Sequence, residues 1–153
     1  MQQDTHRSAT AYETDYYLWL QETHHLLERR NFAAIDIEHL LEEIDDLSRR
    51  EQRKLKNLLR QLWVHLLTLH YWSNEVSRSG SHWRAEIISF HQQILDELED
   101  SPSLRRYICE IYESCYADAR EIAAARAQLP LTTFPEQPWI GCENMFDRSK
   151  SLL

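Results

Sequence analysis

An all-α fold is what this 153-residue sequence predicts. Before Gly80 the chain contains neither glycine nor proline, the two strongest punctuators of local structure. Along that stretch apolar residues recur in steps of three and four, the period of one helix face. The glycines, Gly80 and Gly141, and the prolines, Pro102, Pro130, Pro135 and Pro138, fall where such helices would have to stop. The expected architecture is an antiparallel helical bundle of about five helices with an extended, proline-containing C-terminal tail.

Each element has its own signal. Thr10-Ala11-Tyr12-Glu13 has the form of a capping box, so a first helix starts there. Its stripe is Tyr16, Trp19, Leu20, Thr23 and Leu27, and it ends near Arg30-Asn31, where basic side chains complement the helix dipole. Phe32 and Ile35 mark a short connection, and Asp36 is the next cap. Ile37, Leu40, Leu41, Ile44 and Leu47 form a second amphipathic stripe. Ser48-Arg49-Arg50-Glu51 repeats the capping box and predicts a break or kink. From Leu55 to Trp72 the chain is apolar on more than one face, as befits the central helix of a bundle.

Residues 73–81 read as the first loop, Ser-Asn-Glu-Val-Ser-Arg-Ser-Gly-Ser. A further helix starts near Ser81–Trp83 and is expected to bury Ile87, Ile88, His91, Ile94, Leu95 and Leu98. Asp100-Ser101-Pro102 stops it and starts the next one, proline being suited to a first helical turn. That helix shows Leu104, Ile108, Ile111, Cys115 and Ile122, flanked by Tyr107, Tyr112 and Tyr116, and Pro130 ends it. Phe134, Trp139 and Phe146 predict a tail, 130–153, strapped onto the bundle or onto a partner. A chain of this size reads as one domain, 1–153, with its core in about 12–129.

Composition narrows the function classes. The net charge is -8, and the basic residues are interleaved with acids, which argues against broad nucleic-acid binding. No apolar run approaches the roughly 20 residues of a membrane span, and the start carries no apolar core of a signal peptide. Cytoplasmic location and no membrane partner are therefore expected. The three cysteines, Cys109, Cys115 and Cys142, lack CxxC spacing and read as reduced thiols. No GxSxG, P-loop or zinc-type cysteine pairing is present, so nucleophile chemistry and a cofactor find no support.

A few residues could still carry chemistry. His65 faces the same way as the core leucines Leu58, Leu62 and Leu69, so it is either a satisfied core histidine or a metal ligand or general base. Glu38, Glu42 and Asp45 follow i, i+4, i+7 spacing. With an inward histidine, such a row is how helical bundles hold divalent metals, although it also reads as a solvated flank. Arg60 to His65 matches the arginine, four residues, histidine pattern of HEPN-type helical ribonucleases. With fourteen arginines and eight histidines, about two such matches arise by chance across the allowed spacings, so the pattern carries little weight. His82-Trp83-Arg84, joined by Arg105 and Arg106, could form an anion or partner surface.

Several segments carry a family resemblance. They include Tyr12-Glu13-Thr14-Asp15-Tyr16-Tyr17-Leu18-Trp19-Leu20, Asp36-Ile37-Glu38-His39-Leu40-Leu41-Glu42-Glu43-Ile44 and His65-Leu66-Leu67. Trp83-Arg84-Ala85-Glu86-Ile87, Ser101-Pro102-Ser103-Leu104-Arg105 and Leu129-Pro130 with Phe134-Pro135 follow. In order and spacing over roughly residues 12–140 they resemble a bacterial family abundant in cyanobacteria, domain of unknown function 29. The resemblance implies a helical fold and brings no established activity. Two functions are left open. One is a non-catalytic protein-interaction module, with many tyrosines and tryptophans for an interface and self-association or a protein partner expected. The other is a metal-assisted or HEPN-like hydrolase using His65.

Overall fold

The computed structural model describes residues 11–150, 152 and 153; the Thr10 cap lies outside them. There is no strand among these residues. The helices are α1 (Tyr16–Glu28), α2 (Ile37–Tyr71), α3 (Ser73–Asp100), α4 (Leu104–Ala127) and the single turn α5 (Cys142–Met145). Short 3₁₀ turns lie at Phe32–Ala34 and Leu131–Thr133. The all-α bundle expected from the sequence is what forms. The chain makes two compact units, one ending at Arg50 and the other running Glu51–Leu153.

In the first unit, α1 and the N-terminal part of α2 make a helical hairpin. Residues 11–14 are helical, and Asp15 then leaves the helical region, with φ -146°. Its carboxylate accepts a hydrogen bond from the Leu18 N–H at 3.0 Å, so Asp15 is the cap of α1. Arg30 closes the other end in the left-handed region at φ 56°, with the Arg30 and Asn31 N–H groups donating to the Leu27 and Leu26 carbonyls. Asp36 caps α2 as expected, its Oδ1 accepting from the His39 N–H at 3.3 Å.

The break expected at Ser48 is absent: α2 is one helix of 35 residues. Nothing in the segment removes a backbone donor or demands a special φ. Arg49 also lies 4.0 Å from Asp45 and 3.5 Å from Asp46, at the i+4 and i+3 spacings that favour a continuing helix. Ser48-Arg49-Arg50-Glu51 is a solvated stretch of that helix.

In the second unit, the C-terminal part of α2 is the hub. Leu55, Leu59, Leu62, Trp63, Leu66 and Leu67 are completely buried, each contributing roughly 1.5–3 kcal/mol as apolar side chains removed from water. α3 supplies Ile87, Ile94, Leu95 and Leu98, and α4 supplies Ile108, Tyr112, Cys115 and Tyr116. Ile88, expected inside, is half exposed.

The segment 73–81 is a second correction. It is the start of α3, separated from α2 by Trp72 alone. Gly80 is a packing notch rather than a breaker. A Cβ there would sit 3.1 Å from Val76 Cγ1 and 3.3 Å from Arg84 Nη1 on α3 itself, and at an ordinary 3.8 Å from Leu69 Cδ1 of α2, so the glycine makes room chiefly for its own helix's side chains. Trp72 stacks on Trp83 with centroids 5.5 Å apart, fixing the tight corner.

The tail packs on this unit. Phe134, Met145 and Phe146 are buried, and Trp139 meets Trp63 edge to face at 5.1 Å. The Tyr112 and Tyr116 hydroxyls donate to the Ile140 and Pro135 carbonyls, both at 2.8 Å. Arg120 donates to the Phe134 and Leu131 carbonyls, and His91 Nε2 lies 2.7 Å from the Met145 carbonyl. The cysteines are the third correction. Cys109 of α4 and Cys142 of α5 form a disulfide, and only Cys115 is a free, buried thiol. Sequence spacing misses the pair because 33 residues separate its members and the tail alone brings them together.

Candidate functional site

The residues expected to carry chemistry are dispersed. His65 is half-buried, with Nδ1 2.8 Å from the Gln61 carbonyl and its ring 5.4 Å from Phe90. Arg60, about 140° round the helix from it, turns to Asn57 at 2.6 Å and Asp118 at 3.7 Å. The two side chains thus face different neighbours, α3 and α4. Glu38, Glu42 and Asp45 belong to the first unit and His65 to the second. Among the described residues, no group of three or more His, Cys, Asp or Glu side chains could hold a metal ion.

Trp83 is nearly buried against Trp72, whereas Arg84 is exposed one turn past Gly80. Arg105 lies in the first turn of α4, and the sixteen residue steps of α3 from Arg84 to Asp100, roughly 24 Å of helix, hold it away from Arg84. Arg105 and Arg106 line a cleft with Leu98, Cys109, Cys142 and Glu143. On the other side of the disulfide, Glu110, Glu113 and Gln137 line a second, open cleft of about 480 Å³.

The most unusual surface is one whose sequence pattern reads as interior. Of the α1 stripe only Trp19 and Thr23 are buried. Tyr16, Leu20 and Leu27, with Ile37, Leu41, Ile44 and Leu47 of α2, are 41% to 57% exposed. Together they offer on the order of 600 Å² of side-chain surface, spread over the two helices. By helical periodicity His39 and Glu43 share one side of α2, and Leu41 and Ile44 share the opposite side. His39 and Glu43 face α1, so Ile37, Leu41 and Ile44 are on the flank that α1 leaves open, with Leu47 at the edge nearer Glu43. Glu38, Glu42 and Asp45 share a face of their own between the two, and run along one margin of the stripe.

The closed side of the hairpin is held by polar contacts. The Tyr12 and Tyr16 hydroxyls donate to the two Glu43 carboxylate oxygens at 2.8 and 2.6 Å. Those bonds hold the Glu43 carboxyl below its usual range and push Tyr12 up to about 12. His39 Nδ1 lies 2.6 Å from Asp36 Oδ2, which raises the imidazole pKa. Trp19 Nε1 and Thr23 Oγ1 are buried there without a hydrogen-bond partner.

Charge is concentrated in the same place. Residues 11–50 hold ten carboxylates and four arginines, so most of the net charge of -8 sits in this hairpin. The composition itself could have signalled this site: a two-helix element this rich in apolar residues cannot bury them all between two helices.

Fold and surface together define an all-α protein whose most distinctive exposed feature is an apolar face margined by acids. The chain belongs to the family described as Domain of unknown function DUF29, which it matches over residues 11–149. Comparison with curated proteins gives no match, and neither does comparison with solved structures. No helix among the described residues is long and apolar enough to cross a membrane.

Proposed function

We propose that this chain is a non-catalytic protein-interaction module that docks through the open face of its N-terminal hairpin. The single observation behind this reading is the set Leu20, Leu27, Ile37, Leu41, Ile44 and Leu47, large apolar side chains left in water by their own fold. Exposed apolar surface of this extent is what a partner covers, since burying it gains roughly 25 cal/mol per Å². In this reading the module works in the cytoplasm, where the Cys109–Cys142 disulfide is open to reduction by the thiol pool.

The test is a charge planted in the stripe. Ile44→Asp and Leu47→Asp should leave the unfolding temperature within about 3 °C of wild type, as for substitutions at exposed sites. The same variants should lose every complex that the wild-type protein forms in cross-linking and gel filtration. A fall of about 8 °C or more would mean that the stripe is interior in solution. Complexes that survive both substitutions would also overturn the reading.

A further inference from the structure

We propose that the occupant of this face is a basic amphipathic helix of another protein rather than a second copy of this chain; the assignment rests on the interaction reading above. The shape of the surface sets the first requirement. Ile37, Leu41, Ile44 and Leu47 span about 15 Å along α2 in a stripe that winds through roughly 120° of the helix. On α1, Leu20 and Leu27 are exposed as well, about 20° apart round that helix. A helix laid along the two helices meets apolar side chains at its own i, i+3, i+4 and i+7 positions and completes a three-helix core.

Charge sets the second requirement. Glu38, Glu42 and Asp45 recur along the margin at helical spacing, in a hairpin with ten carboxylates and four arginines. Lysines or arginines on the flank of the incoming helix would align with that row. Two copies meet a different situation. An isologous contact with the two stripes antiparallel sets the Glu38–Glu42–Asp45 row against itself, and opposed like charges disfavour that pairing. An anionic lipid surface is disfavoured for the same reason.

The experiment uses the full chain and two synthetic peptides of about 18 residues. One has leucines on one helical face and lysines on the other; its twin has glutamate at every lysine. By fluorescence anisotropy the lysine peptide should bind the wild-type chain at least about tenfold more tightly than the glutamate twin. Binding should weaken at least about tenfold with Ile44→Asp, and likewise with Glu38→Gln, Glu42→Gln and Asp45→Asn combined. It should also weaken as salt is raised from about 0.1 to 0.5 M. The chain alone should sediment as a monomer at about 50 µM, well above the dissociation constant of a specific dimer.

Equal affinity for the two peptides, or binding indifferent to both sets of substitutions, overturns the assignment. A dimer that Ile44→Asp dissolves overturns it too, but leaves the interaction reading standing with a second copy as occupant. A strict monomer that binds neither peptide removes both.

Discussion

Asp36 does two things at one helix end. Its Oδ1 caps α2 through the His39 N–H, and its Oδ2 holds the His39 ring nitrogen at 2.6 Å. The carboxylate favours the imidazolium, so the His39 pKa is raised above the ordinary 6.5. A raised folded-state pKa gives stability that is fully present below the unfolded value and is lost as pH rises through the folded one. Asp36→Asn keeps the cap, because asparagine also accepts the N–H, and removes the charge. The His39 NMR titration midpoint should therefore fall in the variant, and the stability gap between wild type and variant should close as pH rises from about 6.5 upward. An unchanged midpoint would show that the pair does not form in solution. The cap at Asp36 is legible in the sequence because it is a local relation three residues long. The bonds from Tyr12 and Tyr16 to Glu43 span 31 and 27 residues and need the hairpin to bring them together.

Helix ends are more legible than helix continuity. Asp100-Ser101-Pro102 and Pro130 mark true stops: α3 ends at Asp100 and α4 at Ala127, each shortly before a residue that cannot donate to a continuing ladder. Ser48 and the 73–81 segment mislead because capping residues and serines only permit a stop. The helix continues where its ladder and charge pairs continue, as Asp45, Asp46 and Arg49 show. Gln128 ends α4 in the left-handed region at φ 55°, where a side chain costs about 1 kcal/mol relative to glycine. Gln128→Gly should thus raise stability by up to about 0.5 kcal/mol in urea unfolding, the greater freedom of the unfolded glycine offsetting much of the gain. A destabilised variant would mean that the Gln128 side chain makes a contact worth more than the strain.

For the whole molecule, the tail and its disulfide hold the second unit together across 33 residues of sequence. Closing a loop of that length stabilises a fold by about 3–4 kcal/mol in the chain-entropy account. Cys109→Ser should lower the urea midpoint accordingly, and wild-type protein under reducing conditions should match the variant. Equal midpoints for oxidised and reduced wild type would show the bond to be neutral. Cys115 has its thiol pKa pushed up by burial, so it should react with thiol reagents only after unfolding.

The helical class, the apolar hub of α2 around Leu59, Leu62 and Leu66, and the helix stops at proline are all written in the chain. They follow from short-range periodicity and backbone chemistry, which act within a few turns. Which apolar stripes are covered is settled by tertiary packing instead. The leucines of the hub and those of the hairpin carry the same helical pattern, yet Leu59 is sealed and Leu41 is exposed. Burial depends on whether another element arrives to cover a face, and periodicity describes the face without naming its neighbour. The same reasoning separates Cys109 and Cys142, joined by the fold, from Cys115, which the bundle closes over.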